Sequence, residues 1–308
     1  MSKQLKTAIT FSVSLIIIAS VVPAAAQRPA PGTGEAHTEL VAPGIYSVNW
    51  GDMGLNVGVS SGADGVLLID AQDEPAVPRL KQEIARITQA PIRFVIDSHW
   101  HFDHVGGNET FAKAGAVVIA QSNTRTRLMS EQINPAGGAK QRAFPAAAWP
   151  QITFDDRIAL HFNGDDLDVI HIPHAHTDGD AIIRFRNADV LFAADLFNSG
   201  DYTRIDSRGG SLDGMIAAYQ ALLPTLDDRT RVVPGRGRVA GKKDLEEYLQ
   251  VMSTLRRRIA DLVKSGRTLE QVVAAKPTAE FDPRWANGPV RPDQYVEEIY
   301  TDLKSHPN

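Results

Sequence analysis

Ser98-His99-Trp100-His101-Phe102-Asp103-His104 places four potential metal ligands within six consecutive positions. In an extended segment residues two apart point the same way, so His99, His101 and Asp103 are expected on one side. Trp100 and Phe102 then face the other side, where apolar packing would fix the segment. His104 follows as the chain bends. Three imidazoles and a carboxylate converging on one point suit a borderline cation such as zinc. The preceding Ile92-Arg93-Phe94-Val95-Ile96 reads as a buried strand. The ligands therefore belong to a loop at a strand's C-terminal end, where α/β proteins place their sites. Nine histidines in 308 residues make chance clustering a poor explanation.

Composition bounds the partners. Residues 1–26 read as a signal peptide: Lys3 and Lys6, an apolar core from Ala8 to Val22, then Ala24-Ala25-Ala26 before Gln27. That core is too short to favour a retained membrane span, so no stable membrane association is expected after cleavage. Residues 27–37 form a Pro/Gly-rich flexible leader. The formal charge of −5 becomes −7 once Lys3 and Lys6 are removed, which argues against a nucleic-acid partner and leaves a small-molecule substrate. There is no cysteine, so thiolate ligands, cysteine nucleophiles and disulfides are excluded. The expected location is periplasmic or secreted.

Further along, short strands with Gly turns run from Thr38 to Asp70, including Ile45–Val48 and Leu55–Val59. Glu74 to Thr88 reads as an amphipathic helix with Leu80, Ile84 and Ile87 on one stripe. A helix from Asn108 to Ala114 precedes a buried strand at Ala116–Ala120. Strands are predicted at Ile158–Phe162, Asp168–Ile172, Ile182–Phe185 and Val190–Phe192. Helices are predicted from a Ser211 N-cap to Leu223, over Lys242–Lys264, over Thr268–Ala275 and over Pro292–Leu303. This alternation predicts an α/β fold, an αββα sandwich of two mixed β-sheets packed face to face with helices on both outer faces. Residues 38–241 are expected to form its main domain and 242–308 a C-terminal helical extension. Gln121 to Trp149 lacks a sustained period and is a candidate lid, with Phe144 and Trp149 as apolar contacts.

Four blocks in order resemble the metallo-β-lactamase-fold superfamily. They are the H-x-H-x-D-H stretch with Val105-Gly106-Gly107-Asn108, the earlier Gly65-Val66-Leu67-Leu68-Ile69-Asp70, the later Pro173-His174-Ala175-His176-Thr177-Asp178-Gly179-Asp180, and Val190-Leu191-Phe192-Ala193-Ala194-Asp195-Leu196-Phe197. The resemblance implies a first metal site of His99, His101 and His176, and a second of Asp103, His104 and Asp195. A fifth block departs from the pattern: Val233-Pro234-Gly235-Arg236-Gly237 puts an arginine where the family carries a last histidine ligand. A guanidinium has no lone pair for a metal, so one tightly bound Zn2+ is expected and a second is left open. Asp103 is assigned the catalytic role of orienting water and moving its proton, and Arg236 the binding of a substrate anion.

Three histidines with an open coordination position describe a catalytic zinc, whose bound water ionises near pH 7. The expected reaction is hydroxide attack on an ester, lactone, amide or β-lactam carbonyl. Asp195 stands where efficient zinc β-lactamases carry Cys or Ser, so β-lactams are expected to be poor substrates. The alternatives are an iron oxidoreductase of the persulfide-dioxygenase type, using His99, His176 and Asp195, or a non-catalytic metal-binding protein. Asp70 is expected to support a ligand by hydrogen bonding. Asp178 and Asp180 could do the same or sit in turns, His174 is read as supporting or surface, and His161 and His171 as core or surface. Tyr202 either reaches the pocket or sits in a turn.

Overall fold

Runs of Val, Ile and Leu build a first sheet from β1 (Ala36–Ala42), β2 (Ile45–Trp50), β3 (Val57–Gly62), β4 (Gly65–Ile69), β5 (Ile92–Ile96) and β6 (Val117–Gln121). A short ribbon of β7 (Gln132–Ile133) and β8 (Lys140–Gln141) follows, and β9 (Ile152–Phe154) returns to pair with β6. The order is β1-β2-β3-β4-β5-β6-β9, antiparallel as far as β4 and parallel beyond it. The computed structural model describes residues 35–51, 53–133 and 140–306. The predicted signal segment lies outside those residues.

The second sheet is β10 (Arg157–Phe162), β11 (Asp165–Ile172), β12 (Asp180–Phe185), β13 (Val190–Asn198) and β14 (Arg231–Arg236), in that order. Only β13 and β14 are parallel, so both sheets are mixed. Leu67, Ile69, Ile96 and Ile119 of the first sheet meet Val169, Ile183, Phe192 and Val233 of the second in one buried cluster. Sheets sealed face to face in this way form the middle of the sandwich.

Helices cover both outer faces. On the first sheet, α1 (Val77–Ile87), α2 (Phe102–Val105), α3 (Asn108–Lys113) and α4 (Ser122–Leu128) appear in chain order. Val77, Leu80 and Ile84 of α1 and Phe111 of α3 pack against β3, β4 and β6. On the second sheet lie α5 (Leu212–Leu222), α6 (Lys242–Lys264), α7 (Leu269–Ala274), α8 (Asp282–Trp285) and α9 (Pro292–Ser305). Leu245, Tyr248, Met252 and Ile299 share a core with Leu191 and Ala193 of β13. The helices after Gly241 are thus the outer layer of the second half. No described helix is long and apolar enough to cross a membrane.

Two local readings change. The His99–His104 stretch is not extended throughout: α2 starts at Phe102, so Asp103 and His104 occupy a helical turn. As a result Phe102 stays 38% exposed while Trp100 is buried. Ser211 does sit at the α5 N-cap position, but its hydroxyl makes no cap bond. Asp302 of α9 accepts the Leu212 N–H at 2.9 Å instead, a cap supplied from another helix.

Candidate metal centre

The site forms where the C-terminal ends of the two sheets meet. Asp70 follows β4 with φ +67°, and Ala194 precedes Asp195 at φ +46° in a register shift of β13. Non-glycine residues held left-handed cost energy and cluster where a site needs an exact backbone. Asp70 accepts the Ser98 N–H at 2.8 Å and the Ser98 hydroxyl at 2.9 Å. It also holds His104 Nδ1 at 2.8 Å.

Hydrogen-bond partners fix the tautomers of the candidate ligand histidines. His176 Nδ1 lies 2.7 Å from the Arg204 carbonyl, which can only accept, so that nitrogen carries the proton. His101 Nε2 faces the Asp206 carboxylate at 2.8 Å. His99 Nδ1 donates to Ser98 Oγ at 3.0 Å, because that hydroxyl gives its own proton to Asp70. The opposite nitrogens therefore bear lone pairs. His101 Nδ1 sits 3.1 Å from both His99 Nε2 and His176 Nε2. Lone pairs facing each other at that distance repel unless a cation lies between them, and these two separations are close to the edge of a tetrahedral metal site. Burial holds His101 down to about 4, and burial with the neighbouring imidazoles holds His99 well below the ordinary histidine value, so both stay neutral ligands.

A second group adjoins it. His99, His104 and Asp195 also bring ligand atoms within 4.8 Å of one another. His104 Nε2 and Asp195 Oδ1 are buried without a hydrogen-bond partner, as metal-seeking atoms would be. Burial opposes a charge on His104, yet Asp70, Asp195 and Asp103 outweigh it and raise the ring well above its usual value. The surroundings thus demand positive charge at this point. Arg236 supplies some: its Nη2 donates to Asp103 Oδ2, and it interacts with Asp195. Asp103 is joined to Arg236 and stands 3.9 Å from His104 Nε2, outside both ligand groups. A Cβ on Gly235 would lie 1.9 Å from Asp195 Oδ1, so only glycine lets the Arg236 strand pass this carboxylate.

A wider network anchors His101. Arg208 Nε reaches Asp206 Oδ1 at 2.9 Å while its guanidinium carbon lies 4.3 Å above the Trp100 ring. Arg127 covers the same ring at 5.4 Å. Asp178 ties the two, accepting from Trp100 Nε1 at 3.0 Å and from Arg127 Nη2 at 2.6 Å. Asp180 accepts the Thr177 N–H at 2.8 Å, steadying the His176 turn. Asp206, Arg208 and Arg127 escape a sequence reading, because no spacing announces a partner 105 residues from His101. His174 is exposed and bonded to the Gly209 carbonyl, and His161 is exposed beside Asp166. His171 is half-buried on the Asp180 carbonyl. Tyr202 turns into the core, stacked on Tyr295 at 4.6 Å and bonded to Asp282.

Residues 51–236, more than half of the chain, match the metallo-beta-lactamase superfamily. The chain belongs to that superfamily. Among relatives, it is 24% identical over 160 residues to the probable metallo-hydrolase YqgX of Bacillus subtilis, spanning 52% of this chain and 74% of that one. It is also 24% identical over 163 residues to the hydroxyacylglutathione hydrolase GloC of Haemophilus influenzae, with the same coverage. Among solved structures, a metallo-beta-lactamase from Pontibacter korlensis matches with TM-score 0.59 and 18% identity, over 71% of this chain and 99% of that one. The sec-alkylsulfatase Pisa1 from Pseudomonas sp. matches with TM-score 0.65 and 20% identity, over 86% of this chain and half of that one. As a metallo-β-lactamase-fold protein with hydrolase relatives, the chain is a metal-dependent hydrolase. Over its ligand histidines opens a cavity of about 380 Å³, whose apolar wall is Trp50, Leu55, Phe102, Pro289 and Val290.

Proposed function

We propose that this protein is an exported zinc hydrolase that opens the carbonyl of a small ester, lactone, amide or β-lactam using one tightly held ion. The observation that carries the reading is the set of lone pairs on His99 Nε2, His101 Nδ1 and His176 Nε2, with 3.1 Å between His101 and each of the others. Three neutral nitrogens, a group with no fourth ligand atom among the described residues, leave a position for substrate. When bound, the ion supplies Lewis acidity and makes water a nucleophile near neutral pH.

The chain's own residues supply the remaining steps. Asp103 is a quarter exposed at the cavity floor, where it orients the attacking water, takes its proton and returns it to the leaving group. Burial pushes this carboxyl up, but Arg236 and His104 together hold it below the ordinary carboxylate value. Arg236 holds positive charge between Asp103 and Asp195, at the place where a second ion would otherwise be drawn. Asp206 and the Arg204 carbonyl keep His101 and His176 aimed inward.

A second reading has one observation in its favour. The set expected from the sequence, His99, His176 and Asp195, is not among the groups that could hold an ion among the described residues. His99, His104 and Asp195 instead form a two-histidine, one-carboxylate group, the composition of non-haem iron oxygenase sites. Elemental analysis of the mature protein, purified without added metal, separates the two. About one zinc per chain, with chelator-sensitive hydrolysis across a panel of esters and lactones, is the expected result. Iron with oxygen uptake would put the oxidoreductase first, and bound zinc without turnover of any substrate would leave a binding protein. Export rests on the pattern of residues 1–26. A mature chain beginning at Gln27 outside the cytoplasm is the expected outcome, and an unprocessed cytoplasmic chain would overturn it.

A further inference from the structure

Pro289 and Val290 line the cavity over the candidate ligand histidines, together with Trp50, Leu55 and Phe102. They come from the segment between α8 and α9, beyond residue 236, where the family match ends. The helical layer after Gly241 thus reaches the hollow in which the reaction would occur. Its segment is latched to the turn after β13. Asp201 forms an antiparallel bridge with Ala286, and the Asn287 N–H donates to the Gly200 carbonyl at 3.1 Å. The Val290 N–H donates to Asp201 Oδ2 at 3.3 Å, and the N–H groups of Gly288 and Tyr202 turn toward the same carboxyl. A Cβ on Gly288 would lie 2.1 Å from Asp201 Oδ2, so only glycine lets the chain close over it. Behind the latch, Val290 and Trp285 belong to the buried core of Tyr248 and Leu245. Burial pushes Asp201 up to about 7, so both of its forms occur near neutrality. The latch holds in either form: Oδ1 is buried without a partner and can carry the proton, which leaves Oδ2 to accept.

Resting on the hydrolase reading above, we infer that Pro289 and Val290 form a shelf that limits the apolar arm of the substrate to a compact one, and that Asp201 is the positioning residue that holds this shelf in place. The hollow of about 380 Å³ lies near the lower end of the range for small-molecule sites, and the reacting carbonyl takes part of it. A short alkyl arm that covers Val290, Leu55 or Trp50 gains from the area it removes from water. A longer arm has to displace Val290, which a packed core backs, or press on the amides of Gln72 and Asn198, which also line the hollow. The first strains close packing and the second strips water from polar groups.

The test uses the metal-loaded protein with para-nitrophenyl butyrate and para-nitrophenyl octanoate. The butyrate is expected to be preferred by roughly tenfold or more in kcat/KM. Val290→Ala should narrow that ratio severalfold by improving the octanoate, and Val290→Leu should widen it. Asp201→Ala frees the shelf and should narrow the ratio as well, whereas Asp201→Asn keeps an acceptor for the Val290 N–H and should restore it. Gly288→Ala, which pushes the segment off the carboxyl, should act like Asp201→Ala and tests the latch from the other side. Equal or better use of the octanoate by the unaltered protein overturns the inference, as does a ratio that neither Val290 variant moves. A ratio unmoved in both Asp201→Ala and Gly288→Ala removes Asp201 from it. If neither ester is turned over, the hydrolase reading fails on its own, and calorimetric binding of trifluoromethyl ketones with propyl and heptyl arms still decides the shelf. Tighter binding of the propyl ketone, with the gap narrowed in Val290→Ala, supports it; equal or tighter binding of the heptyl ketone overturns it.

Discussion

At the scale of single residues, Arg236 has the largest chemical leverage. It stands beside Asp103, Asp195 and His104, a set short of one nitrogen donor for a second ion. Arg236→His removes the fixed charge and adds that donor, so the bound metal is expected to rise from about one to about two per chain. Elemental analysis of the variant, with added zinc and after desalting, checks this. An unchanged ratio would mean that Arg236 does not govern occupancy. The cluster of His99, His101 and His176 was legible in the sequence because H-x-H-x-D-H is local and its chemistry follows from residue type. The pairing of Arg236 with Asp103 was not, since it depends on Asp103 being turned toward it by a helix that begins at Phe102. Asp206 was equally hidden, because its value lies in a loop that folds back onto His101.

Among elements, three that are remote in sequence meet at one indole. Trp100 belongs to the loop after β5, Arg127 to α4, and Arg208 to the loop before α5. Stacked guanidinium groups on an indole contribute about 0.5–2 kcal/mol each, depending on burial. Here Arg208 also holds Asp206, and through it the ring of His101. Arg208→Ala should therefore weaken zinc affinity by about tenfold to a hundredfold in a chelator competition. Arg208→Lys, which keeps charge but not the bidentate fork, should recover only part of it. Unaltered affinity in the alanine variant would reduce the stack to a packing feature. Long periodic elements were readable from sequence: α6 spans Lys242–Lys264 as its apolar stripe predicts. Four-residue α2 was not, because a single turn has no period to read. Nor was the cap of α5, since Asp302 lies 90 residues from Leu212.

For the whole molecule, alternating strands and helices were enough to predict two mixed sheets between helical layers. They were not enough to show that the helices after Gly241 cover the second sheet. That fact needs the shared core of Tyr248 and Leu245 with Leu191. Nor did they show how the two halves are registered. Asn56, at the start of β3, donates to the Pro234 and Gly237 carbonyls at 3.0 and 2.9 Å, pinning the Arg236 strand to the first half. With its acceptor oxygen also taken by Ser47 and Asn49, the amide is fully used. Such a cross-link between sheets is visible only when both are in place.

The candidate metal ligands divide in the same way: His99, His101 and His104 belong to the first half, His176 and Asp195 to the second. An ion gripped by both is a rivet as well as a reagent. With such an ion bound, the halves would not part until it left, so the opening of the molecule and the release of metal would become one event. Mass action sets the scale, about 4 kcal/mol when free ion exceeds its dissociation constant a thousandfold. Stripping with a chelator should thus lower the melting temperature and speed cleavage by trypsin, both reversed by adding zinc back. Equal cleavage rates with and without the ion would show that the halves are held by their cores alone. If the rivet holds, the lifetime of this protein in a protease-rich setting would be set by the local supply of metal as much as by its own sequence.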